Sequence, residues 1–105
     1  MRVEVLHTAG CPSFERVLPR LEGLLREAGV EATVETRLIE SIEAAQRERF
    51  LGSPTIRLDG EDIDPAAPER SDFGIECRLY HTGDGLSGVP PDELIVAALR
   101  RLAAG

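Results

Sequence analysis

The chain has 105 residues, 42% of them apolar, with a net charge of −7 from 19 acidic and 12 basic residues, which is the size of one domain built on one core, spanning residues 1–105. No basic stripe exists to suit nucleic acid or an anionic membrane, and no stretch approaches the roughly 20 apolar residues that a membrane span needs. Met1 to Glu4 opens no apolar signal region, so the expected location is cytoplasmic, where Cys11 and Cys77 are more naturally free, catalytic or metal-bound than joined as a structural disulfide.

The elements follow in order. Val3, Val5 and His7 alternate with Glu4 and Leu6, the pattern of a strand buried on both faces. Phe14, Val17, Leu18, Leu21, Leu24, Leu25 and Ala28 then repeat at steps of three and four, which predicts a helix. Pro12 fits its first turn, Gly29 its C-terminal cap, and Pro19 lies inside it and predicts a kink. Residues 31–39 are rich in β-branched types and read as a second strand. Ser41 caps a short helix running to about Phe50. Thr55 to Leu58 is a third strand, and Asp59-Gly60 turns it into a fourth at Glu61 to Ile63. Residues 64–90 read as a long loop with one apolar run, Ile75 to Tyr80, and Pro91 opens a last helix with Leu94, Ile95, Ala98, Leu99 and Leu102 on one face. A helical crossover makes the first two strands parallel, and the hairpin makes the last two antiparallel. The fold class is therefore α/β: a mixed four-stranded sheet, helices on both faces, and an inserted loop before the last helix.

Chemistry is expected at Cys11. It stands where the first strand gives way to the first helix, beside unpaired backbone N–H groups and the positive end of the helix dipole, a setting that favours the reactive thiolate. The competing reading is a buried structural cysteine. Cys77 reads either as a small apolar strand residue or as a second redox thiol. His7, Cys11, Cys77 and His81 also make a tetrahedral zinc composition, although not at a zinc-finger spacing. Asp59 to Asp64 has the composition of a calcium loop without the closing glutamate. No Gly-rich phosphate loop is present, so no organic cofactor is expected.

Three motifs together resemble the thioredoxin-fold superfamily. Cys11-Pro12-Ser13-Phe14 stands in the place of Cys-x-x-Cys, Pro19 matches the kinking proline of the active-site helix, and Gly52-Ser53-Pro54-Thr55 is similar to the Gly-x-Pro-Thr segment. More narrowly, Gly10-Cys11-Pro12, Gly52 to Thr55, Cys77 to Tyr80 and Asp84-Gly85 resemble a group of small bacterial thioredoxin-like proteins. Some of these carry selenocysteine, and some are named alkylmercury-lyase-like. The resemblance implies a cis Ser53–Pro54 peptide packed against Cys11, with the Ser53 backbone open to an extended partner. It implies thiol redox chemistry on a disulfide or an oxidised sulfur, with Cys11 as the catalytic residue, Ser53, Pro54 and Pro12 as binding residues, and a thiol or disulfide as partner; Cys77 is the candidate second catalytic residue within the chain. Phe14 replaces the second cysteine, which puts resolution on another thiol. The alternative is a non-catalytic protein holding zinc or mercury. An organomercurial lyase would need a proton donor beside two thiols, and the sequence places no carboxylate there. Thr8-x-x-Cys11 resembles a peroxiredoxin site, but Glu4 stands where that motif has its proline. Finally, residues 64–90 are expected to fold over the active-site end, stiffened by Pro65, Pro68, Pro90 and Pro91. Phe73, Ile75, Leu79 and Tyr80 are expected to pack it down; if it reaches Cys11, Tyr80 or His81 can offer the thiolate a polar group and Arg78 a charge, and the competing reading is a surface excursion that merely extends the core.

Overall fold

The first strand, β1 (Arg2–His7), is buried from Val3 to Leu6 and lies in the middle of the sheet. The computed structural model describes residues 1–103. Strand β2 (Thr33–Leu38) pairs with β1 in parallel, with Val3 opposite Val34 and Val5 opposite Thr36. Strand β3 (Thr55–Leu58) runs antiparallel on the other side of β1, and β4 (Glu61–Asp62) is antiparallel to β3. The spatial order is β2-β1-β3-β4, a mixed four-stranded sheet. The turn between β3 and β4 has positive φ at both Asp59 (49°) and Gly60 (86°). That is the backbone a two-residue hairpin prefers, and the Asp59 carboxylate braces it by accepting from the Arg2 N–H at 2.8 Å.

Helix α1 (Pro12–Glu27) makes the crossover from β1 to β2 and buries Val17, Leu21 and Leu25. It continues through Pro19, whose ring removes one N–H donor from the ladder. It stops at Gly29, whose φ of 68° lets the chain reverse. There the Gly29 N–H reaches the Arg26 carbonyl and the Val30 N–H the Leu25 carbonyl, each at 3.0 Å. Helix α2 (Ile42–Arg47) is shorter than its sequence pattern and is capped by the Ser41 hydroxyl, which accepts from the Ala44 N–H at 3.1 Å. Helix α3 (Asp92–Ala103) closes the chain as read.

The period-2 alternation of the strands sorts the core into two layers. Val3, Val5, Ile56 and Leu58 pack with Val17, Leu21 and Leu25 of α1 and with Ile95, Ala98 and Leu99 of α3. Leu6 leaves by the opposite face and meets Ile39, Ala45 and Phe50 around α2. On that second face Glu4 is nearly buried and is held by Arg37 at 3.2 Å and Arg2 at 3.4 Å. No helix among the described residues is long and apolar enough to cross a membrane.

The stretch 64–90 departs from the loop read there. It contains a 3-10 turn at Ala67–Glu69 and a small hairpin of its own, β5 (Tyr80–Thr82) and β6 (Gly85–Ser87), outside the main sheet. Its apolar run is also inverted. Arg78 and Tyr80 point inward, at 2% and 3% exposure, while Ile75 and Leu79 are about half exposed at 46% and 56%. Apolar alternation alone predicts the reverse. The inversion arises because two side chains on the other face, Arg78 and Tyr80, have buried polar partners waiting for them, described next.

Candidate functional site

Cys11 is the N-cap of α1, in extended conformation, with Pro12 as the first helical residue and Gly10 at φ 68° setting the turn out of β1. Its side chain makes no capping hydrogen bond, and at 7% exposure it is buried. Pro12 beside it is exposed. Phe14, one turn on, stacks flat on His7, with ring centroids 3.7 Å apart and planes 4° from parallel, and the His7 ring lies 3.3 Å from the Thr8 carbonyl. The residue standing where a second motif cysteine would be is thus committed to an aromatic pair.

The loop between β1 and α1 is tied to the segment before β3. The Thr8 N–H donates to the Ser53 hydroxyl at 3.1 Å. Ser53–Pro54 is a cis peptide, and both residues are buried. The loop that leads to Cys11 is therefore tied through Thr8 to the segment carrying the cis peptide. The Ser53 backbone, however, is not open. Its N–H donates to the Glu76 carbonyl at 2.8 Å and its carbonyl accepts from the Arg78 N–H at 3.0 Å. These two bonds make a parallel bridge with Cys77 opposite Ser53. The expected docking edge is filled by the chain's own residues 76–78.

That segment is pinned by a buried polar network. The Arg78 guanidinium forks onto Asp62 of β4 at 2.7 and 3.0 Å, donates to the Thr55 hydroxyl at 3.3 Å, lies 3.7 Å from Asp64 and rests over the Tyr80 ring. Only its Nε lacks a partner. Burial pulls the Arg78 pKa down, but the hydrogen bond to Asp62 and the surrounding Tyr80, Asp62 and Asp64 charges raise it overall. The Tyr80 hydroxyl donates to the Pro54 carbonyl at 2.5 Å, and burial pushes its pKa well above the ordinary phenol range. Tyr80 is thus committed to the Pro54 carbonyl and the Arg78 guanidinium to the Asp62 carboxylate, and His81 is exposed. Arg78 and Tyr80 together clamp the Ser53–Pro54 segment. The clamp is signalled in the sequence only by Asp62 and Arg78, an acid and a base too far apart along the chain to be paired by spacing.

Two close approaches fix the segment further. Gly52 has φ 121°, and a Cβ there would sit 3.0 Å from the Arg78 Cβ and N, so any side chain would be strained and would press on residue 78. Gly88, on the exit side of the same stretch, lies against Ser13 of the first turn of α1. Residues 64–90 thus meet the site on two sides, at Ser53 and at Ser13. Cys77 itself is exposed and outside any strand, which corrects its reading as a small apolar strand residue. Both cysteines are free thiols.

The zinc composition is not assembled. His7 is engaged with Phe14, and among the described residues no group of three or more His, Cys, Asp or Glu side chains is placed to hold a metal ion. A cavity of about 430 Å³ borders β3 and β4, lined by residues including Arg49, Arg57, Asp64 and Phe73, and a second of about 580 Å³ lies by Leu79, Tyr80, His81 and Leu86. Neither is lined by Cys11, Ser53 or Pro54. The Cys11 thiol is buried and borders neither of these cavities.

Residues 8–99 match a family model described as a domain of unknown function, DUF2703. The matched span takes in Cys11, Ser53–Pro54 and the whole of 64–90. No curated protein and no solved structure matches the chain significantly.

Proposed function

We propose, for a chain that belongs to the DUF2703 family, a thioredoxin-like thiol redox function with Cys11 as the nucleophile. The observation that carries it is the 3.1 Å bond from the Thr8 N–H to the Ser53 hydroxyl, which holds the Cys11 loop against Ser53–Pro54. The sheet order β2-β1-β3-β4, with a parallel β1–β2 pair, an antiparallel β3–β4 pair and a proline leading into β3, supports the same reading.

The chemistry is sulfur exchange. The Cys11 thiolate attacks one sulfur of a disulfide R–S–S–R′. The Cys11–S–S–R bond forms, the S–S bond of the substrate breaks, and R′S⁻ leaves and takes up a proton. Pro12 follows the nucleophile as the first helical residue, and Cys11 itself is the N-cap of α1. Because Cys11 is buried and the Ser53 backbone is occupied, the substrate that fits is small. Phe14 supplies no second thiol, so reduction of a protein disulfide such as insulin is expected to be weak.

The test compares the native chain with Cys11→Ser for reaction with hydroxyethyl disulfide, read by mass. Native protein gains an adduct or a disulfide involving Cys11, and C11S does not. Equal reactivity of the two, with all modification at Cys77, removes Cys11 from the chemistry.

A further inference from the structure

We infer that Cys77 is the second thiol of the site: it resolves the mixed disulfide on Cys11 and closes an intramolecular Cys11–Cys77 disulfide. This inference rests on the Cys11 reading above and adds to it the partner that α1 lacks.

Placement carries the argument. Residues directly opposite one another in a parallel bridge send their side chains to the same face of the pairing. Cys77 is opposite Ser53. The Ser53 hydroxyl on that face takes the N–H of Thr8, three positions before Cys11. Cys77 is therefore directed to the side on which the Cys11 loop lies. An extended partner docked on the residue before Pro54 would present its own sulfur from this edge. Here residues 76–78 form that edge permanently, and the residue at the bridge is a cysteine.

The segment is also held in place. Arg78, the next residue, is buried and forked onto Asp62, and Gly52 packs against its backbone. Gly88 touches Ser13 on the far side of the site. A resolving thiol on a wandering loop spends little time near its target, whereas one in a pinned segment has a high effective concentration. The Cys77 thiol is free and exposed, so it is open to reaction.

The steps balance. After Cys11 has taken RS from R–S–S–R′, the Cys77 thiolate attacks Cys11 Sγ. The Cys11–Cys77 bond forms, the bond to R breaks, and RS⁻ leaves and is protonated. Two protein thiols have been oxidised, and one substrate disulfide has become two thiols. An external dithiol returns the protein to its starting state by the reverse exchange.

The experiment treats native protein, Cys77→Ser, Cys77→Ala and Cys11→Ser with hydroxyethyl disulfide and follows masses over time, with peptide mapping of the bonds. Native protein is expected to lose two hydrogens and yield a Cys11–Cys77 linked peptide, with only a fleeting adduct. Both Cys77 variants are expected to stop at the Cys11 adduct, which persists at least about tenfold longer than in native protein because the intramolecular attack is gone. Persistence of the adduct in native protein, equal to that in C77S and C77A, overturns the role of Cys77 and leaves Cys11 as a single-thiol nucleophile. Absence of any Cys11 adduct in every chain overturns the Cys11 reading itself. Two Cys77 variants are used so that loss of resolution is traced to the sulfur and not to one replacement side chain. The exposure of Cys77 makes both tolerable to the fold.

Discussion

The central strands and the 76–80 segment are both short extended stretches beside the site, yet they are held by opposite means. In β1 and β3 the apolar side chains face the core: Val3, Val5, Ile56 and Leu58 are fully buried. In the 76–80 segment the inward side chains are Arg78 and Tyr80, while Ile75, just before it, and Leu79 face outward. The frame is stabilised by removal of apolar area from water, roughly 25 cal/mol per Å². The segment is held by a handful of directed polar contacts, to Asp62, Thr55 and the Pro54 and Ser53 carbonyls. Area burial tolerates variation, whereas a buried ion pair fails abruptly when one partner goes. The covering segment is thus firm in its native position but depends on very few residues.

The strongest way to break this contrast is Arg78→Met. It leaves Asp62, only 10% exposed at its side chain, without its partner, and is expected to lose about 3–5 kcal/mol. The loss is read from the urea midpoint, together with faster exchange of the Ser53 amide. Changing Asp62→Leu in the same chain is expected to recover much of it, because replacing both charges by apolar groups removes the unpaired one. A double variant no better than the single one shows that the guanidinium serves something beyond its partner.

Gly52→Ala probes the same clamp from the other side. At φ 121°, with the Arg78 backbone 3.0 Å from the added Cβ, it combines backbone strain with a steric push on residues 76–78. The expected loss is about 1–3 kcal/mol. It is expected to be accompanied by faster modification of Cys11 by a bulky maleimide. Unchanged Cys11 accessibility in the folded variant means that the segment does not guard the thiol.

The smallest effect is expected where the alternation misleads most. Leu79→Ser on the exposed side of the segment is expected to shift stability by no more than about 0.5 kcal/mol. Ile56→Ala in the frame, a residue of comparable size and hydrophobicity, is expected to lose about 2–5 kcal/mol. A large loss at Leu79 in a thermal melt places that side chain in an interface rather than in solvent.

Much of the frame is legible from the chain. Alternation in β1, the threefold and fourfold steps of α1, Ser41 as a cap and Asp59-Gly60 as a hairpin turn are local signals, each enforced by contacts within a few residues or by burial on a face whose period is fixed. The expectations for 64–90 fare less well. The segment does reach the Ser53 end, where residues 76–78 pair with it, and its buried polar side chains Arg78 and Tyr80 are taken up by Asp62 and the Pro54 carbonyl. Ile75 and Leu79 look like anchors by composition, and only the partners of Arg78 and Tyr80 make the other face the inner one. The open Ser53 edge fails for the same reason: its occupant lies more than twenty residues further along the chain.

The sequence by itself determined the order of elements, the parallel pairing of β1 with β2, the β3–β4 hairpin, the placement of Cys11 at a helix start and the proline before β3. All of these follow from backbone chemistry and periodicity acting over short distances. Tertiary structure alone decided that the Arg78 guanidinium is fully buried, that Cys77 stands opposite Ser53, and that the docking edge beside Cys11 is already filled. Those outcomes depend on long-range pairs. A buried charge is tolerated only where a partner from a distant strand meets it, and no local pattern announces which carboxylate that will be.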